Sequence, residues 1–230
     1  MAALLAVGTA NAAIISGGLA TYGPAATDFS ALPLSLAGYD HLSGSLIGVI
    51  LTLTGHIDTQ FNASYSSASD GLLNSASTSS TMTLLFGATG LVTALPVASL
   101  TGTPYTVTGL SATHNVGPLA TGNNSNFIQY DAPPDSTGIV NAFDTSAFVN
   151  FTVKSLTIAS SSTTGGNVTV GQSTKGSGTA HVDFIVADAV PELASLAMIG
   201  GGLTALTYML RRRKAAKVIR FSNIPIETDD

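Results

Sequence analysis

The chain has 230 residues, 45% of them hydrophobic and 9% charged, with a net charge of −5 and neither cysteine nor tryptophan. The lack of cysteine excludes a disulfide framework, a thiolate metal site and a cysteine nucleophile. The apolar content is too high for a disordered acidic chain, so one domain with a sizeable core is expected.

Ala2 to Ala13 is a short apolar run closing on Ala10-Asn11-Ala12-Ala13, the small-x-small pattern of a signal-peptidase site. Residues 1–13 are therefore expected to be a signal peptide for export. The positive charge that opens such peptides is missing, which places the expected start upstream of Met1. The exported domain is expected over 14–189. Between Ile14 and Val190 stand nine aspartates and two lysines, a net of −7. Nucleic acid and other polyanions are excluded as partners on that ground, because phosphate contacts need clustered Lys and Arg.

From Leu46 onward the dominant period is two, the period of a half-buried strand. Ile57, Phe61, Ala63 and Tyr65 share one face of Ile57–Tyr65, and Ala180, Val182, Phe184 and Val186 share one face of Gly178–Val186. Between Phe148 and Ile158 the apolar parity shifts from Phe151 and Val153 to Leu156 and Ile158, which predicts a bulge near Lys154-Ser155. Further strands are expected at Val49–Thr54, Ser80–Phe86, Leu91–Leu100, Tyr105–Thr108, Asn126–Tyr130 and Asn167–Val170. Turns are expected at Asp70-Gly71, Thr101-Gly102, Thr121-Gly122-Asn123-Asn124 and Gly165-Gly166-Asn167. Many short strands, with no helical pattern before Pro191, predict an all-β antiparallel sandwich.

The stretch Leu42-Ser43-Gly44-Ser45-Leu46-Ile47-Gly48-Val49-Ile50-Leu51-Thr52-Leu53-Thr54-Gly55, together with the closing strand pair around Gly165-Gly166-Asn167, resembles a bacterial β-domain family called choice-of-anchor E. The resemblance covers roughly Leu32 to Val186. It implies surface display and no known chemistry.

Catalytic motifs are absent. Gly171-Gln172-Ser173-Thr174-Lys175 and Gly109-Leu110-Ser111-Ala112-Thr113 each fail the Gly-x-Ser-x-Gly pattern at its last position, and no phosphate loop, His-Glu-x-x-His or EF-hand spacing occurs. The chain is expected to be no enzyme and to carry no cofactor. Two His-x-Asp pairs, His56 with Asp58 and His181 with Asp183, put imidazole and carboxylate on one strand face, and on neighbouring strands the four could converge on a divalent metal; a solvated sheet face is the plainer reading. Asp131, Asp135 and Asp144 around Pro133-Pro134 could supply calcium ligands or simply initiate turns. Tyr39, Tyr65, Tyr105, Phe127 and Tyr130 are core aromatics or, for Phe127 and Tyr130 beside the Asn-rich Gly122–Asn126 segment, a sugar platform.

The chain's end carries its most specific signal. Val190-Pro191-Glu192-Leu193-Ala194-Ser195 opens an uncharged apolar run to Leu210, and Arg211-Arg212-Arg213-Lys214 closes it. As a helix this run reaches roughly the 30 Å of a bilayer core, and the basic cluster holds its far end in the cytoplasm. A single C-terminal transmembrane helix is expected.

These residues resemble the PEP-CTERM sorting signal of Gram-negative bacteria over 190–214, with Leu193 at a motif position where that family usually has proline. The resemblance implies exosortase and the secretion machinery as partners, an inner-membrane intermediate, and release to the cell surface or extracellular matrix. Residues 215–230 are then expected to form a cytoplasmic tail of mixed charge. The expected function is that of a non-enzymatic surface or exopolysaccharide- and biofilm-associated matrix protein. A carbohydrate- or calcium-binding adhesin and a permanently anchored periplasmic protein are the alternatives.

Overall fold

A computed structural model describes residues 12–66, 70–108, 113–132, 137–165 and 167–187. The expected sorting signal, membrane span, basic stop and tail lie outside these residues, as does nearly all of the expected signal peptide. Among the described residues no helix is long and apolar enough to cross a membrane.

The described chain is all-β, with two antiparallel sheets enclosing one core. The first sheet has the order β1 (Ala12–Ala26), β11 (Val168–Ala187) and β3 (Ser45–Tyr65), with β8 (His114–Asn115) and β9 (Ala120–Asp131) sharing the far side of β3. In the second, β2 (Leu32–Ala37), β10 (Phe148–Thr164) and β4 (Gly71–Phe86) are followed by β5 (Thr89–Ala94), β6 (Val97–Ser99) and β7 (Tyr105–Val107) along the outer side of β4.

The expected strand phases hold where alternation is clean. Ile57, Phe61, Ala63 and Tyr65 are buried, and so are Ala180, Val182, Phe184 and Val186. The expected strands Asn167–Val170 and Gly178–Val186 are parts of one 20-residue strand, β11. The intervening polar residues stay in it because β3 pairs with it continuously from Val168↔Tyr65 to Ile185↔Gly48. Leu91–Leu100 is two strands, parted at Leu95-Pro96.

Three expectations are corrected. No bulge occurs at Lys154-Ser155: β10 pairs with β4 in unbroken register from Thr152 to Ser162. Its parity never changes, so Ser155 points inward while Leu156 and Ile158 are 62% and 65% exposed on the outer face. The segment Thr121-Gly122-Asn123-Asn124 is not a turn but lies within β9. There is also a helix before Pro191: α1 (Ile139–Thr145) begins after Gly138, whose φ of 70° suits glycine, and buries Ile139, Val140 and Phe143.

Phe143 anchors an aromatic cluster at one end of the sandwich, with ring centroids 5.9 Å from Phe151 and 5.7 Å from Phe184. Tyr39 stacks at a tilt on Phe184 at 5.3 Å. Leu51, Leu53, Leu84, Val153 and Val182 fill the middle, and Phe61, Tyr65 and Leu73 the opposite end. Ala12 and Ala187 are register partners, so the described chain enters and leaves at one pole of the strands. With 21 residues at about 3.3 Å each, β3 runs roughly 65 Å toward the other.

Candidate functional site

The outer face of the first sheet carries both His-x-Asp pairs. β3 and β11 are neighbours, as convergence on a metal would require, but the register sets the pairs apart. His181 is opposite Thr52 and Asp183 opposite Ile50, whereas His56 is opposite Ser177. From Thr52 to His56 is four residues, roughly 13 Å along the strand. Among the described residues no group of three or more His, Asp or Glu side chains gathers.

Each pair is instead tied into the sheet. His56 sits between two oxygens, with Nδ1 2.6 Å from Asn123 Oδ1 and Nε2 3.0 Å from Asp58 Oδ1. These contacts link β9 to β3 across the ladder. His181 lies with Nε2 3.0 Å from Ser16 Oγ and Nδ1 3.4 Å from Asp183 Oδ2. The shift in register after Ser16 brings the serine hydroxyl to the ring. Hydroxyl, imidazole and carboxylate thus stand in the order of a hydrolytic triad, although 3.4 Å is too long for the charge-assisted bond that orients a catalytic imidazole.

The remaining candidates scatter. Asp131 Oδ1 accepts from Gln129 Nε2 at 2.8 Å, and Asp144 on α1 faces His41, whose Nε2 lies 2.7 Å from the Asp144 carbonyl oxygen. Asp135 lies outside the described residues. Tyr39 and Tyr65 are buried, and Tyr105 and Tyr130 pack on the core. Phe127 is 67% exposed and occupies the face of β9 opposite to Tyr130, so the two make no platform. The Asn-rich segment bonds across the flank: Asn124 Oδ1 accepts from Leu95 N at 2.9 Å, and Asn126 Nδ2 donates to Thr93 O at 3.1 Å. These bonds close the β9 side of the sandwich against the second sheet.

The opposite flank is different, and sequence reasoning missed it. Thr27 to Ala31 crosses there from the first sheet to the second as a strap. Thr27 N donates to Thr174 O at 3.2 Å, Ser155 N to Phe29 O at 2.9 Å, and Thr157 N to Asp28 Oδ1 at 2.6 Å. Beyond the strap the flank is bare. β1 ends its pairing at Ala26↔Lys175, β2 at Leu32↔Val153 and the strap at Thr174 and Thr157, leaving β11 from Val168 to Ser173 and β10 from Ile158 to Thr164 without an outer neighbour among the described residues. A cavity of about 240 Å³ opens between these two edges, lined by Ala159, Ser160 and Ser161, by Val170, Gly171 and Gln172, and by Phe61. Behind it the core is polar: Thr59 Oγ1 lies 3.1 Å from Thr174 Oγ1, and Thr78 Oγ1 donates to Gln172 Oε1 across the sheets at 2.5 Å.

No protein-family model matches the chain, and no curated protein matches it. Among solved structures, it is similar to one titled as infectious bursal disease virus Gt strain at 13% identity and a TM-score of 0.15, over 81% of this chain and 44% of the other. A second, of the Gx strain, gives 12% identity and a TM-score of 0.14 over 93% and 54%. The chain spans about half the length of each. Likeness at this level carries no argument about fold or function.

Proposed function

We propose that this protein is a non-enzymatic, exported surface or extracellular-matrix protein, held in the inner membrane by its C-terminal segment and released by an exosortase acting at Pro191-Glu192. The observation that carries the reading is the C-terminal pattern: the motif Val190–Ser195, an apolar run to Leu210, and Arg211-Arg212-Arg213-Lys214 directly behind it. The cationic cluster sets the orientation, and the motif then faces the periplasm. The domain's build is compatible with it, because Ala12 and Ala187 are register partners, so both ends of the described chain lie at one pole of the strands.

The test is fractionation of cells carrying one epitope between Asn11 and the body of β1 and another after Arg220. Wild-type protein should lose the second epitope on leaving the inner membrane, and substitution of Glu192 should retain both there. Both epitopes together on full-length protein at the surface of wild-type cells would sink the reading.

A further inference from the structure

Among the described residues the bare flank lacks the devices by which sheet proteins keep their edges from pairing. Natural edges are blunted by charge, proline, a bulge or a covering segment. Neither Ile158–Thr164 nor Val168–Ser173 contains a charged residue or a proline. The one register shift nearby, between Ser162 and Thr163, adds its extra residue, Asn74, on β4 and leaves β10 regular. The strap covers the flank only down to Thr157 and Thr174.

Along each edge the direction of the backbone groups follows from the strap. Thr157 N and Ser155 N point to the flank, so by the two-residue repeat Ala159, Ser161 and Thr163 do as well. Thr174 O points there on β11, and with it the groups of Gln172 and Val170. The bare lengths centre on Ser161 and beside Gly171. Both residues line the same cavity, so the midpoints of the two edges lie close together across it.

We infer that two copies of this chain pair edge to edge along this flank, β10 on β10 and β11 on β11, about one two-fold axis perpendicular to both sheets. A single rotation serves both edges because their midpoints lie close together across one cavity, and it sets Ser161 opposite Ser161 of the second copy. A closed two-fold contact of this kind uses the same patch on both partners. A strand from an unrelated protein would need two segments, one for each layer. The ends of the described chain, Ala12 and Ala187, lie at the other pole. Pairing along this flank is independent of the sorting signal.

The experiment uses the full chain in detergent micelles. Light scattering should give a protein mass twice the 23.1 kDa of one chain. Ser161→Lys should halve it, Ser161→Glu likewise, and an equimolar mixture of the two variants should restore it, since unlike charges then meet across the axis. The native chain has no cysteine, so Ser161→Cys offers a second reading that tolerates no loss of fold: mild oxidation should convert most of it to a covalent dimer. Leu156→Cys, on the outer face of the same strand, should remain single. A wild-type mass of one chain, a Ser161→Lys protein that stays double, or equal cross-linking of the two cysteine variants would overturn the proposal.

Discussion

The hydroxyl of Tyr22, on β1 in the first sheet, lies 3.3 Å from the sulfur of Met82, on β4 in the second, while it donates to the Thr54 carbonyl oxygen at 2.9 Å. Two glycines make the room. Tyr22 is opposite Gly178, and Gly178 opposite Gly55. A Cβ on Gly178 would run into the Tyr22 hydroxyl and the Thr54 carbonyl, and one on Gly55 would stand 2.8 Å from the Met82 sulfur. Gly178→Ala should therefore destabilise the fold by about 1–3 kcal/mol through overpacking, with no loss of any side chain. Urea titration followed by far-UV circular dichroism measures it.

Burial pushes the Tyr22 phenol above its ordinary pKa of 10.0. The sign follows directly: above pH 10 the unfolded phenol ionises while the folded one keeps its proton, so unfolding releases a proton and stability falls as pH rises. Below pH 10 this contribution is fully present. Relative to Tyr22→Phe, the wild type should lose up to about 1.4 kcal/mol per pH unit above about 10, and near neutrality it should be about 1 kcal/mol more stable through the bond to Thr54. Paired denaturation curves at about pH 8 and about pH 11, on either side of the free phenol's range, give both numbers. A gap between the two proteins that does not change with pH would refute the assignment.

Phe61 and Gln60 are neighbours on opposite faces of β3. Phe61 is 1% exposed and floors the flank cavity. Truncating it to alanine should cost roughly 3–5 kcal/mol, because the void it leaves joins one already present. Gln60→Ala, which gives up a bond to a carbonyl on a half-buried face, should cost well under about 1 kcal/mol by the usual scale for surface changes.

Asp28 tests the strap. Its backbone N donates to Ser155 Oγ at 3.0 Å, its Oδ1 accepts from Thr157 N at 2.6 Å, and its φ is 69°. Asp28→Ala loses the carboxylate bond and keeps a side chain in a left-handed conformation, so a loss of about 2 kcal/mol is expected; Asp28→Asn retains an acceptor and suits that conformation, and should recover about half. Thermal melts of the two variants compare them.

Ser16, His181 and Asp183 test the reading as a non-enzyme at the place where it is most exposed to challenge. Turnover of p-nitrophenyl acetate by the wild type should be no faster than by Ser16→Ala, and a fluorophosphonate should leave Ser16 unlabelled. Serine-specific labelling that vanishes in His181→Ala would reverse that part of the function.

Much of the first sheet was legible because β3 and the end of β11 alternate cleanly between apolar and polar residues, as half-buried strands must. β1 hid because Gly17-Gly18 and Gly23-Pro24 fall at its two register shifts, so Ile15, Ala20 and Tyr22 face inward without a common parity. β10 misled because it is inverted locally: Ser155 is buried against the strap's Asp28, while Leu156 and Ile158 point outward. α1 is only two turns long, too short for a period to emerge. The candidate site was legible in its residue types and not in its placement. Whether His56 and His181 meet depends on how β3 slides against β11, and the bare flank depends on where β1 and β2 stop. Both are properties of pairing between distant segments, which no local pattern encodes.

The shared pole of Ala12 and Ala187 decides how the domain would bear a load. A pull between a tether at Ala187 and a hold near Val168 runs along the length of β11, which is bonded to β3 on one side throughout and to β1 on the other from Lys175 to Ala187. Such a force shears both ladders at once and cannot peel them bond by bond from an end. The strand that would carry such a load is thus one bonded on both sides from Lys175 to Ala187.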